Sequence, residues 1–530
     1  MKTRKLIAML LVMIMALSCI GMQAFADDAV QAESVVIAAD DDSFNVSPWS
    51  NSQGEVSNYL QNIIWTHLAI RPFTGAMIGE GMELVAAKEI TKVDDLTWNI
   101  VLNDNITDSK GNTITASDVK FSFDKNYELG YYPYVNNYYD SIEVVSDTEL
   151  IFKTKSADEG GFESAVINTA ICNQAWYEGA SEDEILNNPA CTGAYSVVNV
   201  QNGHSVTVAA REDYWKTENR TTTEMQNVKT IQILCMSEDD ARSIALENGE
   251  VDYAQVSYIA YDRIFRNDKN YNVFEIPKFM NAILIYNCDP SSVCSDPNVR
   301  KAISYAIDMD QVFLLGYGND SYQLHHDICP DVTPDYVSAW NDEDYYTRDL
   351  DKAVEYREAA GYGPNELVLN FIVRAQAPQQ PYVVMQQQLA EAGIVMNITA
   401  YDRAVFNTYY ADNTAWDFTE SGSEVTDFTA NFWSRMFSEE VYGEKGSENN
   451  IHDAKLQELL KAAVATRSEE DMDAFHQYYT YDQCYAIGMY NEVNYFVARK
   501  GIVDIAKGTD NATLQAMTFT SDYKPVPLQK

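Results

Sequence analysis

Residues 349–398, DLDKAVEYREAAGYGPNELVLNFIVRAQAPQQPYVVMQQQLAEAGIVMNI, decide the class of fold. Asp349 is a residue type preferred at a helix N-cap, and Gly361 lies where that helix would end in a left-handed turn. Apolar residues alternate along 367–371, as in a strand with one buried face. A second helix and a second apolar strand, residues 394–398, follow. This strand–helix–strand unit predicts a partly parallel sheet in a mixed α/β protein.

The alternation of helices and strands continues on both sides of this stretch. Residues 98–102 alternate in polarity and predict a strand. Thr115 and Asp118 have the spacing of a capping box and predict the start of a helix. Asp296 followed by Pro297 predicts another helix start, because a proline at the first helical position loses no hydrogen bond. With 530 residues, the chain is long enough for two or three lobes.

The chain is strongly acidic, with 37 Lys and Arg residues against 79 Asp and Glu residues and a formal net charge of −42. Such a surface repels phosphate backbones and anionic lipid headgroups, so nucleic acid is excluded as a partner. The 35 tyrosines fit either a large core or a ligand cleft lined by aromatic rings.

The N-terminus has the features of an export signal. Basic residues precede an apolar run over 6–17, which is too short to span a bilayer. Ala24 and Ala26 place small residues at a cleavage site, giving a predicted signal peptide over 1–26. A competing interpretation places a lipid on Cys19. Both interpretations locate the mature protein outside the cytoplasm, in the periplasm or at the outer face of the cell membrane.

The cysteines give no clear disulfide framework, because eight are present and loss of Cys19 would leave seven. Cys288 and Cys294 flank a short loop and could pair, while free buried thiols fit most of the others. Residues 325–327, with Cys329 nearby, are the only cluster that resembles a metal site, and an exposed polar loop explains them as well. No metal and no cofactor are expected.

Five blocks of sequence are informative when they are taken together. The blocks are 98–102 with Asp108, Gly111 and 115–122; 191–195 with 213–215; 245–246 with 249–252; Asn287 with 296–308; and 351–353 with 359–362, Leu389 and 393–394. In this order, over about residues 35–500, they resemble the peptide-type solute-binding proteins of ABC importers, the extracellular solute-binding proteins of family 5.

The resemblance implies an α/β, periplasmic-binding-protein-like fold of type II, a clam-shell with an extra inserted domain and three lobes in all. The expected boundaries are 32–64, 193–275 and 490–530 for lobe I, 65–192 for the inserted lobe II, and 276–489 for lobe III. A ligand would lie between lobes I and III and would be enclosed when they close about a hinge.

The resemblance also implies a loop in lobe III that binds the ammonium group of a peptide. The segment from Ser421 to Asp427 fits this loop and places Glu424 at the position that binds the amine. Gln380 stands where dipeptide binders have an arginine for the peptide carboxylate, and it cannot form the same charged pair. A longer peptide or a non-peptide solute tolerates that loss better. The candidate ligand contacts are Ser421, Gly422, Ser423, Glu424, Asp427, Gln380, Trp416 and Asn281.

The predicted function is therefore capture of an oligopeptide or a related small solute, and its delivery to the transmembrane subunits of an ABC permease. The protein is expected to be a monomer and not an enzyme. Two alternatives stay open: an extracellular hydrolase that uses Glu424 and Asp427 as an acidic pair, and a receptor that senses peptides. Against a hydrolase, the sequence carries no nucleophile or metal signature.

Overall fold

The computed structural model describes residues 31–41, 44–49, 55–74, 77–78, 81–130, 135, 138–155, 157, 159–316, 322–343, 345–375, 377–425, 428–505 and 513–529. The predicted signal peptide and Cys19 lie outside these residues. The helices are α1 Glu55–Ile64, α2 Ala116–Leu129, α3 Glu159–Asn168, α4 Gln174–Gly179, α5 Glu182–Asn187, α6 Asp239–Glu247, α7 Tyr258–Ala260, α8 Pro297–Ala306, α9 Met309–Gly316, α10 Leu350–Ala359, α11 Gln380–Glu391, α12 Arg403–Tyr410, α13 Thr429–Phe437, α14 Glu439–Tyr442, α15 Ala454–Thr466 and α16 Glu469–Gln477.

The strands follow the same chain order. They are β1 Ala32–Ala39, β2 Ala69–Ile70, β3 Phe73–Thr74, β4 Met77–Ile78, β5 Glu83–Leu84, β6 Ala87–Asp94, β7 Thr97–Leu102, β8 Tyr139–Ser146, β9 Glu149–Thr154, β10 Tyr195–Gln201, β11 Ser205–Ala210, β12 Val228–Cys235, β13 Tyr253–Val256, β14 Tyr271–Tyr286, β15 Tyr322–Leu324, β16 Leu367–Arg374, β17 Ile394–Tyr401, β18 Phe418–Glu424, β19 Ala486–Arg499, β20 Ile502–Asp504 and β21 Thr518–Phe519.

One large sheet runs through the molecule in the order β10-β11-β12-β1-β13-β19-β14-β18-β16-β17, with β15 paired to β19. Its outer parts contain parallel pairs, β1 with β12 and β13 on one side and β16 with β17 and β18 on the other. The two longest strands, β14 and β19, are antiparallel neighbours between these parts. They therefore connect the two halves of the sheet.

The strand–helix–strand unit predicted from residues 349–398 is confirmed. β16 and β17 pair in parallel from Leu367↔Ile394 to Arg374↔Tyr401, and α11 connects them. Asp349 caps α10 by accepting bonds from two backbone N–H groups, and Gly361 adopts φ +89° just after that helix. Glycine suits this position because it has no Cβ to oppose a positive φ.

The two other predicted helix starts are also confirmed. Thr115 and Asp118 form the capping box of α2. Asp296 caps α8 through the N–H of Asn298, with Pro297 at its first position. The predicted strand over 98–102 is β7, which lies in a separate sheet of order β6-β7-β9-β8.

The buried apolar side chains form separate clusters. In β1, Val35 and Ile37 enter one cluster while Val36 and Ala38 enter another, so this parallel strand is buried on both faces. A second region packs around the four-stranded sheet and α2, with its members within residues 68–171. Two further clusters share residues 282–490. The lobe boundaries given above stay a prediction.

All seven cysteines in the described part of the chain are free thiols, and five of them are buried. Cys288 and Cys294, which could have paired on spacing alone, are among them. Burial raises the pKa of the Cys288 thiol to about 11 and that of Cys191 to about 11. Within the described residues, no helix combines the length and apolar character needed to cross a bilayer.

Candidate ligand-binding site

The two crossing strands carry an irregularity at their centre. Pairing of β14 with β19 shifts between Pro277↔Val493 and Asn281↔Asn491, so that residues 278–280 form a bulge opposite Glu492. On one side of this bulge β19 pairs with β13, and on the other side β14 pairs with β18. The bulge therefore separates the two halves of the sheet.

Hydrogen bonds from Asn491 hold the bulge. Its side-chain amide donates to the carbonyl of Lys278 at 2.6 Å, to that of Met280 at 3.2 Å and to Oδ1 of Asn281 at 2.9 Å. Lys278 also forms an ion pair with Glu492 on the opposite strand. These polar contacts replace the regular ladder bonds that the bulge interrupts.

Next to the bulge lies β18, and two backbone hydrogen bonds show which of its residues direct their N–H and C=O groups to β14. The N–H of Asn287 donates to the carbonyl of Asp417 at 2.8 Å, and the N–H of Val425 donates to the carbonyl of Phe279 at 2.7 Å. The N–H of Asp417, just before the strand, donates instead to the carbonyl of Asn370 in β16 at 2.9 Å. Backbone groups of alternate residues in a strand point to the same side, so the odd-numbered residues from 419 to 425 face β14. Residues 420, 422 and 424 therefore direct their backbone groups to the opposite edge.

That opposite edge is only partly covered. β16 pairs with β18 at Phe371↔Phe418 and Ile372↔Thr419 and goes no further. Among the described residues, no strand pairs with 420–424 on this side. A Cβ added at Gly422 would lie 2.9 Å from Sδ of Met280, so glycine allows close packing here. An open edge of this kind can accept an extended peptide as an additional strand.

Two partly buried acidic side chains lie on opposite faces of this strand, because the side chains of Glu420 and Ser421 alternate across it. Glu420 accepts hydrogen bonds from the hydroxyls of Tyr382 at 2.7 Å and Tyr490 at 3.0 Å. Glu448 accepts one from Tyr410 at 2.8 Å and one from Ser421 at 3.2 Å. Burial raises the pKa of both carboxyls, and their hydroxyl donors oppose the shift. The two acids thus stabilise the strand through hydrogen bonds, one on each face.

The structure brings five of the eight predicted contacts to this region. Ser421, Gly422, Ser423 and Glu424 lie in β18, and Asn281 lies on β14 directly opposite Ser423. Asn281 is fully buried and bonds to Nδ1 of His325 at 2.9 Å, so it supports the bulge. Asp427 lies outside the described residues. Whether any of these side chains contacts a ligand stays a prediction.

The two other candidates, Trp416 and Gln380, lie outside β18. Trp416 is only 1% exposed, and its indole N–H donates to the carbonyl of Tyr410 at 3.1 Å. This burial places Trp416 in the core of the protein, not on a cleft wall. Gln380 is exposed at the first position of α11, so its side chain is accessible.

Several residues of the region could not be found from the sequence. Glu420, Glu448 and Asn491 carry no motif, and their importance follows from burial and from partners distant in the chain. The only available signal was the position of Glu420 next to the predicted loop. His325 and Asp327 contact Asn281, and no group of three metal-binding side chains occurs among the described residues.

Comparison with known proteins gives a family match. Residues 82–442 match the family model described as bacterial extracellular solute-binding proteins, family 5 Middle. The chain is 26% identical over 229 residues to the "Probable peptide-binding protein YejA" of Agrobacterium fabrum, an alignment that covers 39% of this chain and 37% of that protein. It is 21% identical over 406 residues to the "Nickel-binding protein NikA" of Staphylococcus aureus, covering 74% of this chain and 76% of that protein.

A solved structure has the same fold. The ABC transporter substrate-binding protein CtaP of Listeria monocytogenes superposes with a TM-score of 0.76 at 18% identity, and the match covers 93% of this chain and 100% of that chain. This likeness confirms the predicted periplasmic-binding-protein-like α/β fold.

Proposed function

This chain belongs to the bacterial extracellular solute-binding proteins of family 5, the substrate-binding components of ABC importers, and from this premise we propose that its ligand is a short peptide bound along the open edge of β18. The observation that carries the proposal is the stretch 420–424, with which no described strand pairs on the side away from β14. A peptide in extended form matches that edge by main-chain hydrogen bonds, which depend little on its side chains.

The bulge between β14 and β19 is the proposed hinge. The first and last lobes, with the boundaries 32–64, 193–275 and 490–530 against 276–489, would rotate about residues 277–281 and 491–493. A ligand that contacts both lobes stabilises the closed form because it gains contacts only there. The closed protein would then release its ligand to the transmembrane subunits of an ABC permease.

Glu424 is the proposed partner of the ligand's amino group, with Asp427 close by in sequence. Their acidic character suits an ammonium group. Gln380, which is neutral, offers no counter-charge for a carboxylate, and this favours peptides whose affinity does not depend on a fixed C-terminus. The protein would bind its ligand without altering it, as a monomer outside the cytoplasm, exported by residues 1–26 or anchored through Cys19.

The first experiment identifies the ligand. Purified protein is stripped by partial unfolding, refolded, incubated with a random pentapeptide pool and studied by native mass spectrometry. Retention of one peptide per protein, released with unchanged mass, is the expected result. Binding of a nickel–histidine complex and of no peptide would overturn the peptide assignment, and release of cleaved products would indicate a hydrolase.

The second experiment tests the mode of binding with a retained pentapeptide. Each peptide nitrogen is methylated in turn, and the affinity is measured by calorimetry. Strand addition predicts a loss of about tenfold or more at alternate positions only, because alternate N–H groups face β18. Equal tolerance at every position would contradict binding along the edge.

The role of Glu424 is tested in the same assay. Glu424→Gln should lower the affinity for the unmodified peptide by about tenfold or more. The affinity for the N-acetylated peptide should not change, because only the unmodified peptide carries an ammonium group. Glu440→Gln is the matched control, since Glu440 is a mostly exposed acid of the same lobe, paired with Lys461. Equal loss for both peptides would remove Glu424 from the amine site.

A further inference from the structure

The inserted segment 65–192 contacts the end of β18 although the two lie far apart in the chain. The backbone N–H of Ile78 donates to the carbonyl of Val332 at 2.8 Å. Ile78, Val332 and Phe279 form a small apolar cluster of their own. Phe279 is the residue whose carbonyl accepts the bond from Val425 at the end of β18. This contact therefore lies one residue pair beyond the open edge.

A second contact places an arginine of the inserted segment on the other side of the loop. The guanidinium of Arg71 lies 4.6 Å from the ring centre of Phe428, the first described residue after Asp427. Arg71 is 4% exposed, and its Nη2 lies 2.9 Å from Oε2 of Glu163, while Nη1 donates to the carbonyl of Gly81 at 2.7 Å. Contacts within the inserted segment thus fix the position of the arginine side chain that contacts Phe428.

Phe428 is also fixed from lobe III. The guanidinium of Arg467 lies 3.9 Å from the same ring centre. A cation over an aromatic ring is attracted by the negative face of the ring, more strongly where water is excluded. Phe428 is 7% exposed, so both contacts occur in a largely dry environment.

The third contact is steric and lies on α3 of the inserted segment. Gly160 packs against the side chain of Asn431 in α13 so closely that an added Cβ would lie 2.8 Å from Cγ of Asn431. The helix α13 starts directly after the loop, and Asp335 caps it by accepting from the N–H groups of Thr429 at 2.8 Å and Ala430 at 3.0 Å. Only a residue without a side chain allows α3 to approach this helix start.

From these contacts we infer that the inserted lobe positions the segment that follows the proposed ligand-binding loop: Arg71 and Gly160 fix Phe428 and the start of α13, residues 428–431. The inference rests on the proposed function for its effect on binding, and it goes beyond it by giving the second lobe a part in ligand affinity. Neither residue needs to contact the ligand. Both act through the loop.

The test uses a wedge variant and its matched control. Gly160→Val places a side chain between α3 and Asn431. Gly179→Val makes the same substitution in α4 of the same lobe, where nothing lies within 4 Å of an added Cβ. Hydrogen exchange of the full, ligand-free protein reports the loop. We expect residues 425–437 to exchange about tenfold faster or more in Gly160→Val and at the wild-type rate in Gly179→Val.

A second pair of variants removes the cation without leaving a buried charge. Arg71→Met with Glu163→Gln should accelerate exchange over the same residues. The control is Arg266→Met with Asp262→Asn, an ion pair of 2.7 Å beside the ring of Tyr261 in another lobe. If Gly160→Val does not fold, this pair decides the question. Wild-type exchange of residues 425–437 in the Arg71 variant would overturn the inference.

Affinity for the retained pentapeptide is the second readout. A decrease of about tenfold in Gly160→Val with none in Gly179→Val is expected, while unchanged affinity in both would overturn the coupling to binding. If wild-type protein binds no peptide, the proposed function fails, and the exchange experiment still decides whether the inserted lobe orders the loop. The two failures are therefore distinguishable.

Discussion

Asn491 is a single side chain that connects the two strands joining the halves of the sheet. It is 4% exposed and donates across the bulge to two carbonyl groups and to Asn281. A buried amide with several hydrogen bonds fixes the geometry of the bulge, where the regular ladder between β14 and β19 is interrupted. The conformation of the proposed hinge thus depends on a residue that would contact no ligand.

We expect Asn491→Ala to lower the free energy of unfolding by about 2 kcal/mol, because two carbonyls in the bulge lose their donor. Urea denaturation followed by tryptophan fluorescence measures the change. Asn199→Ala, at an exposed position of β10, should change stability by less than about 0.5 kcal/mol. Equal effects of the two substitutions would show that the amide does not hold the bulge.

Asp327 gives the protein a predictable dependence on pH. Burial raises the pKa of this carboxyl from 3.8 to about 7. His476, whose Nε2 lies 3.7 Å from Oδ2 of Asp327, does not compensate, because burial lowers its own pKa to about 3. Glu343, Tyr336, Tyr345 and Cys329 are the other titratable groups around Asp327. The folded state keeps a proton on Asp327 that the unfolded state has lost, so the contribution of this carboxyl to stability falls as pH rises from about 4 to 7. His476 acts in the opposite sense, because between about pH 3 and 6.5 it is neutral in the folded state and charged in the unfolded state.

Asp327→Asn stays neutral and should make the slope of the unfolding free energy against pH more positive than that of wild type by about 1 kcal/mol per pH unit. Urea denaturation at several pH values between about 5 and 7 measures it. Asp331→Asn is the control, because Asp331 is 51% exposed and should leave the slope unchanged. The same slope in wild type and Asp327→Asn would disprove the assignment.

At the scale of elements, the start of α2 illustrates how one acid organises a helix. Asp118 accepts from the N–H of Thr115 at 2.7 Å and from that of Gln174 at 2.8 Å, and the side-chain amide of Asn173 adds a third bond at 3.2 Å. It thus joins the helix start to the segment before α4. Capping and tertiary contact are functions of the same carboxylate.

Asp118→Ala should lower the free energy of unfolding by about 2–3 kcal/mol, since it removes the cap and leaves buried donors without an acceptor. Thermal and urea denaturation measure the effect. Glu128→Ala, in the last turn of the same helix, removes an exposed acid paired with Lys125 and should change stability by less than about 0.5 kcal/mol. A small effect at both positions would contradict this account.

The sequence predicted those elements whose cause is local. The caps at Thr115, Asp296 and Asp349 depend on residues two or three positions apart, and all three are confirmed. The parallel pair around α11 followed from hydrophobic periodicity and a short connection. The family blocks then gave the class of fold, which the solved structure confirms.

The site could be predicted only in part, because its geometry depends on distant partners. The segment from Ser421 was placed at the binding region by resemblance, but the open edge exists because β16 stops pairing at Thr419. Trp416 is a candidate from the sequence and lies in the core of the structure, because a sequence cannot tell a core indole from one that lines a cleft. Contacts of Arg71 and Gly160 with lobe III were not predictable, since more than 200 residues separate the partners.

For the whole molecule, one sheet extends through both halves, and β14 and β19 are the strands that connect them. Closure about such a connection moves two rigid bodies and leaves their cores unchanged, because packed interiors resist deformation. The large negative charge is distributed over a surface that favours solubility. The affinity for the ligand would then depend on the contacts between the two halves, and on the contacts that the proposed inserted lobe makes with one of them.

Solution scattering tests this movement. Peptide-saturated protein should have a smaller radius of gyration than stripped protein, because the ligand stabilises the closed arrangement. Free glycine, which is too short to form a strand along β18, is the control and should leave the scattering curve of the stripped protein unchanged at the same concentration. Identical curves for stripped and saturated protein would contradict hinge closure.

The absence of disulfides among the described cysteines has a practical consequence. Nothing in that part of the chain has to be oxidised before the native packing is reached, so recombinant expression inside a reducing cytosol should give the same folded product as secretion. Burial also raises the pKa of the Cys288 and Cys191 thiols and favours their protonated form, which reacts slowly with alkylating reagents. Labels introduced at new surface cysteines would therefore attach in preference to the five buried thiols. Among the described cysteines, Cys235 and Cys288 are partly exposed and would be replaced before spectroscopic distance measurements.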